Sequence, residues 1–190
     1  MLEINSKHLN VSIFNESITF ISGSYAKKMQ LFQEITSPLH STNLKYQGIN
    51  TKIAQKSFKY KCLTYISSNS NAISTALSAK QNILFSTIFH KNFLLKSALS
   101  QYFKLTPEEL QRTGNSNLKL SAILPMSEIF LTNKPIIVMQ FDDSHLSSED
   151  LKKTKHLMET KAYDGKSIVI YTTNSNNSLN CIKEIKISLD

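Results

Sequence analysis

Residues 18–38, ITFISGSYAKKMQLFQEITSP, carry the side chains whose types and order have a chemical use. An apolar, β-branched run ends at Gly23. Lys27 and Lys28 then stand at the head of a segment with Met29, Leu31, Phe32 and Ile35 at helical spacing. A strand, a tight turn with a lysine and then a helix is the layout of a phosphate-binding loop. Its backbone N–H groups and the positive end of the helix face an anion, and the lysine adds a point charge. The usual pattern is G-x-x-x-x-G-K-[ST]. Gly23 stands first, and Lys28 takes the lysine's place only if the loop is one residue short. Lys27 stands at the second glycine, Met29 at the Mg-binding hydroxyl, and Gln30 follows. The candidate nucleotide-binding residues are therefore Gly23, Ser24, Tyr25, Ala26, Lys27, Lys28, Met29 and Gln30. The plainer alternative is a strand–turn–helix unit with basic residues at its helix start.

Other chemistries find little support. The histidines, His8, His40, His90, His145 and His156, show no metal-ligand spacing, and no Ser/His/Asp or Cys/His arrangement is visible. Cys62 and Cys181 lie far apart, outside any metal or redox spacing, and read as thiols of a reducing compartment. The net charge of +8 raises nucleic acid or an anionic membrane surface as partners. The lysines are scattered, however, Arg112 is the only arginine, and no basic run interleaves with aromatics. The first ten residues, MLEINSKHLN, do not read as a signal peptide, and no apolar run approaches the ~20 residues of a membrane span. The expectation is a soluble protein, or one held at a membrane through a partner.

Positioning these residues falls to a handful of elements. Residues 1–21 read as two short strands around a polar turn near Asn15-Glu16, and residues 43–50 as a strand and a turn. CLTYI at 62–66 is a further strand. Helices are expected from Met29 to the Ser37-Pro38 stop, over 78–90 and over 94–103, and one opens at Thr106-Pro107-Glu108-Glu109. Residues 114–117 read as a turn, and 118–131 as a helix carrying Pro125. Apolar runs at 136–139 and 167–172 read as strands buried on both faces. Ser147 or Ser148 caps a helix to about Lys161, and residues 182–189 alternate as an exposed last strand. With 41% hydrophobic residues in 190, the chain is expected to form one α/β domain, 1–190, with a helical part inserted at roughly 76–131.

In order and spacing these segments resemble the ATP-binding subunit of an ABC transporter, over nearly the full length. They are most similar to the haem-exporter ATPase of cytochrome c biogenesis. ITFISG resembles the strand entering the Walker A loop, and YISSNSNAISTALSAKQNILF the Q-loop region. SQYFKL resembles part of the helical subdomain, KPIIVMQFDDSHLS the Walker B strand with its D-loop, and SIVIYTTN the strand before the switch histidine. The resemblance implies a P-loop NTPase fold: a mainly parallel core sheet, a small antiparallel β part and an inserted helical subdomain. It also implies ATP as ligand, shared between two such subunits in a homodimer or with another ATPase subunit. An integral membrane permease would dock on the helical part, at the cytoplasmic face of the inner membrane.

The departures fall on the chemistry. Counted from Pro135, the metal-shell Asp and water-polarising Glu of the Walker B end are Gln140 and Phe141. In a second register, with the strand two residues longer, Asp142 and Asp143 are the acidic pair. Leu146 fits the D-loop leucine in the first register. Asn174 stands at the switch histidine, Ser68 or Asn69 at the Q-loop glutamine, and residues 116–120, SNLKL, lack the signature glycines. Met29 likewise weakens the case for Mg2+. Three readings follow: a working ATPase subunit, a catalytically inactive pseudo-ATPase that is a structural or regulatory partner, and a P-loop adaptor associated with nucleic acid. The scattered charge argues against the third.

Overall fold

The computed structural model describes residues 1–5, 10–36, 43–50, 62–67, 76–89, 95–112, 123, 126, 129, 132–141, 146–172 and 184–189. They fall into two compact units. The first comprises Met1–Tyr65, Lys134–Gln140 and Met158–Asp190; the second comprises Ile66–Asn133 and Phe141–Leu157.

The first unit contains a small antiparallel sheet. Its strands are β1 (Leu2–Asn5), β2 (Asn10–Ile13), β4 (Asn43–Tyr46) and β5 (Ile49–Asn50), in the order β2-β1-β4-β5. Alternation builds it: Leu2, Ile4, Val11, Ile13 and Leu44 are buried, and Leu2 lies opposite both Ile13 and Tyr46. Gln47 and Gly48 join β4 to β5 with φ of 51° and 77°, the left-handed pair that a two-residue hairpin turn demands. Residues 1–21 thus hold three strands rather than two. β1 and β2 each carry their own inward pair and close on one another, and β3 (Ile18–Ser22) follows the turn at Asn15-Glu16.

β3 belongs to a five-stranded sheet with β6 (Leu63–Ser67), β7 (Ile136–Phe141), β8 (Ser167–Thr172) and β9 (Glu184–Ser188), in the order β6-β7-β8-β3-β9. It pairs in parallel with β8 on one side and β9 on the other. Flanked on both edges and covered on both faces, it reads as a continuous apolar run: Ile18, Phe20 and Ile21 are at most 1% exposed. Helix α1 (Tyr25–Thr36) contributes Leu31 and Ile35 to a core that also takes in Leu2, Ile13, Ile136, Val138 and Val169.

Two further sequence expectations need correcting. α1 begins at Tyr25, not at Met29. β7 runs to Phe141, not Met139, with all six residues buried.

Thr19 sits in the middle of β3 and is fully buried. Among the described residues its Oγ1 has no hydrogen-bond partner. A buried hydroxyl without a partner costs free energy, and valine keeps the branched shape. Thr19→Val is therefore expected to stabilise the fold by roughly 1 kcal/mol, seen as a higher urea midpoint with an unchanged slope. A lower midpoint would show that the hydroxyl is satisfied in solution.

The second unit holds the ends of β6 and β7 and is otherwise mainly helical among the described residues. It contains α2 (Ala79–Phe89), α3 (Leu95–Tyr102), α4 (Pro107–Gln111) and the first turns of α5 (Ser148–Tyr163). Thr106 and Glu109 cap α4 reciprocally, with bonds of 3.2 and 2.8 Å, and Pro107 opens the helix. Ser147 caps α5 by accepting the Asp150 amide at 3.1 Å. The Tyr102 hydroxyl donates to the Lys153 carbonyl at 2.7 Å, and Glu149 bridges Lys104 and Lys153 at 3.1 and 3.0 Å. Hydrogen bonds from Lys153 and then Lys104 hold the Glu149 carboxyl below the usual glutamate range. Ile123, Met126 and Ile129 are buried, while Pro125 and residues 114–117 lie outside the described residues.

Candidate functional site

The site is built from the end of β3, the start of α1 and the neighbouring strand ends. β3 stops at Ser22 and α1 starts at Tyr25, so Gly23 and Ser24 alone make the turn. Gly23 has φ of 123°, a region that a side chain rarely tolerates, which accounts for the glycine. Ser24 starts the helix at once. Its carbonyl accepts the Lys28 amide at 3.0 Å, and its Oγ accepts the Lys27 amide at 3.4 Å. Ala26, Lys27 and Lys28 are good helix formers, and no second glycine keeps the chain out of the helix. Six of the eight candidate residues, Tyr25, Ala26, Lys27, Lys28, Met29 and Gln30, are therefore helical. A loop that cradles a phosphate needs several successive amides outside the helical ladder. In this turn the Lys27 and Lys28 amides are already bonded to Ser24.

The two lysines part company. Lys28 is 4% exposed, on the helix face of Leu31 and Ile35, beside Ile21, Phe32, Val138 and Val169. Lys27, one residue earlier and about 100° round the helix, is exposed. Its Nζ donates to the Leu189 carbonyl at 2.6 Å. Tyr25, 55% exposed, stands beside it at the helix start, while Met29 and Gln30 are half-buried.

β7 supplies the second element. Gln140 is buried in the strand, and its Oε1 accepts from the Tyr65 hydroxyl of β6 at 3.4 Å. The Tyr65 ring lies 4.1 Å from that of Phe32 on α1, tilted by 32°. Phe32, Tyr65 and Gln140 thus form a linked group that sequence reasoning missed. In the sequence Phe32 reads as a helix residue and Tyr65 as a strand residue, and nothing local pairs them. Phe141 is 1% exposed. The strand's length meets the condition of the second register, in which Asp142 and Asp143 follow the strand directly. Asp142, Asp143, Asn174, Ser68, Asn69 and residues 116–120 lie outside the described residues.

Among the described residues no group of three or more His, Cys, Asp or Glu side chains is arranged to hold a metal ion. His156 is exposed on α5 and Cys62 is half-buried, while the other histidines and Cys181 lie outside the described residues. No helix among the described residues is long and apolar enough to cross a membrane.

No family model matches the chain, and no curated protein matches it in sequence. Solved structures do match in fold. The dimeric bacterial ABC transporter cassette MJ0796 superposes with a TM-score of 0.74 at 14% identity, over 100% of this chain and 95% of that one. The post-hydrolysis state of the same ATP-binding cassette, bound to ADP and Pi, gives 0.70 at 15%, over 92% and 88%. CbiO1 from Clostridium perfringens, part of the ABC transporter complex cbiONQ, gives 0.64 at 11%, over 88% and 70%. With its parallel sheet, its antiparallel sheet and its strand–turn–helix unit, the chain has the α/β fold of ABC transporter ATP-binding cassettes, a P-loop NTPase architecture.

Proposed function

We propose that the protein is a cassette subunit of an ABC-type complex that binds ATP weakly and does not hydrolyse it efficiently. The cassette fold over nearly the whole chain carries this reading. The sequence resemblance refines it to a haem-exporter-like assembly in cytochrome c biogenesis. The subunit would sit at the cytoplasmic face of a membrane, with its helical part, roughly 76–131, against a permease. The related cassette MJ0796 is dimeric and has been seen with ADP and Pi. The corresponding proposal is that this chain pairs with a second copy or another ATPase subunit and takes the nucleotide at residues 23–30. Lys27 ranks ahead of Lys28 as the phosphate contact, because Lys28 is buried among apolar side chains. Met29 supplies no hydroxyl to the metal shell, so Mg2+ adds little to binding.

Calorimetry with ATP, with and without Mg2+, tests the reading. The expected result is binding weaker than that of a complete phosphate loop, with little Mg2+ dependence. Lys27→Ala is expected to weaken it about tenfold, in line with the loss of one charge-assisted hydrogen bond. Lys28→Ala should act mainly on the melting temperature. Tight, Mg2+-dependent binding that survives Lys27→Ala would reject this site. A haem-exporter permease that fails to retain the purified chain would remove the haem-exporter assignment.

A further inference from the structure

Among the described residues β9 is an edge strand of the parallel sheet, and the chain at its end is fastened to the turn in front of α1. The Leu189 amide donates to the Ser22 carbonyl at 3.1 Å, and the Ser22 hydroxyl donates to the Ile187 carbonyl at 3.3 Å. The Lys27 ammonium, projecting from α1, donates to the Leu189 carbonyl at 2.6 Å. These three bonds join the last residues of an edge strand to both sides of the Gly23–Ser24 turn. Only one of them uses a charged group, and that group is the exposed lysine of the candidate phosphate site.

We propose that the end of β9 is an internal competitor for Lys27. With the strand end docked, a backbone carbonyl takes the ammonium that an anion at the turn would need. An arriving phosphate must draw Lys27 away and thereby loosen Leu189. The proposal rests on the reading that residues 23–30 take a nucleotide. It adds a physical reason for the weak binding proposed above: the ligand must replace a contact already made as well as find few open amides. A peptide carbonyl is a weaker partner than a phosphate for a lysine, so the contact tunes affinity without abolishing it. An edge strand gives way readily, and among the described residues β9 is paired along one side only.

Amide hydrogen exchange at Leu189 reads the clasp, and ATP titration reads its consequence. Lys27→Met, in the absence of ligand, is expected to speed Leu189 exchange about fivefold while leaving the β3 and β8 amides unchanged. Saturating ATP on the wild-type chain should produce a similar increase. Ser22→Ala removes the hydroxyl bond to Ile187 and leaves Lys27 in place, and is expected to tighten ATP binding two- to fivefold. Unchanged Leu189 exchange in Lys27→Met overturns the proposal whatever ATP does. If ATP binds the wild-type chain and Leu189 exchange does not respond, the competition is refuted while the nucleotide site stands. If neither the wild type nor Ser22→Ala binds ATP although Lys27→Met loosens Leu189, the nucleotide reading falls and takes the competition with it.

Discussion

Phosphate release from ATP is expected to remain at the background rate, both for the protein alone and together with the proposed membrane partner. Hydrolysis in this architecture needs one carboxylate to hold the metal shell and another to polarise the attacking water. Both places at the end of β7 are filled by side chains without charge in the first register, the one that Leu146 fits. Gln140 is buried and accepts from Tyr65, and Phe141 is buried and apolar. A phenyl ring neither accepts a proton nor orients water. Losing one member of a cooperating catalytic unit typically costs several orders of magnitude in rate, and further losses then add little. The strand that reaches Phe141 leaves one rescue, because the two aspartates come next in sequence. The decisive assay compares phosphate release by the assembled complex for wild type, Asp142→Asn and Asp143→Asn. Background rates in all three bear out the expectation. Robust turnover abolished by either change would instead put the acids at those positions and make the protein a working ATPase.

Phe20→Ala is expected to remove a large share of the fold's stability. Phe20 is 1% exposed in β3, between Ile170 of β8 and Lys186 of β9 in the parallel register. Deleting a buried phenyl ring costs the transfer free energy of its carbons plus the cavity left behind, together about 3–5 kcal/mol. Domains of this size have only about 5–15 kcal/mol in total. Packing between fixed strands gives the site little room to collapse, which points to the upper part of that range. Chemical denaturation followed by circular dichroism measures the effect. Phe14→Ala is the control, since Phe14 is half exposed and its truncation should move the midpoint little. Equal small shifts for the two variants would show that β3 is not the centre of the packing.

The elements legible in the sequence are those specified by neighbours along the chain. The runs in β3, β7 and β8 have the density of β-branched residues that a strand covered on both faces requires, and they became adjacent strands of one sheet. Thr106, Pro107 and Glu109 sit within four residues of one another, so their capping box could be read directly. The glycine at 23 announced a turn, and its φ of 123° shows why.

What the tertiary structure decided involves partners distant in sequence or the sidedness of a helix. Being polar, Gln140 stands just past the strand that the apolar run marks at 136–139 in the sequence. It lies inside one because the Tyr65 hydroxyl, 75 residues away, meets its amide oxygen. Lys27 and Lys28 are equivalent as letters. Starting α1 at Tyr25 rather than Met29 sets which of them faces the core, and β9, arriving from the far end of the chain, supplies the carbonyl that holds the other. Sequence periodicity therefore determined where the strands and helices run. Which polar side chains face the site depended on where α1 starts and on contacts between segments far apart in the chain, and no local pattern encodes the latter.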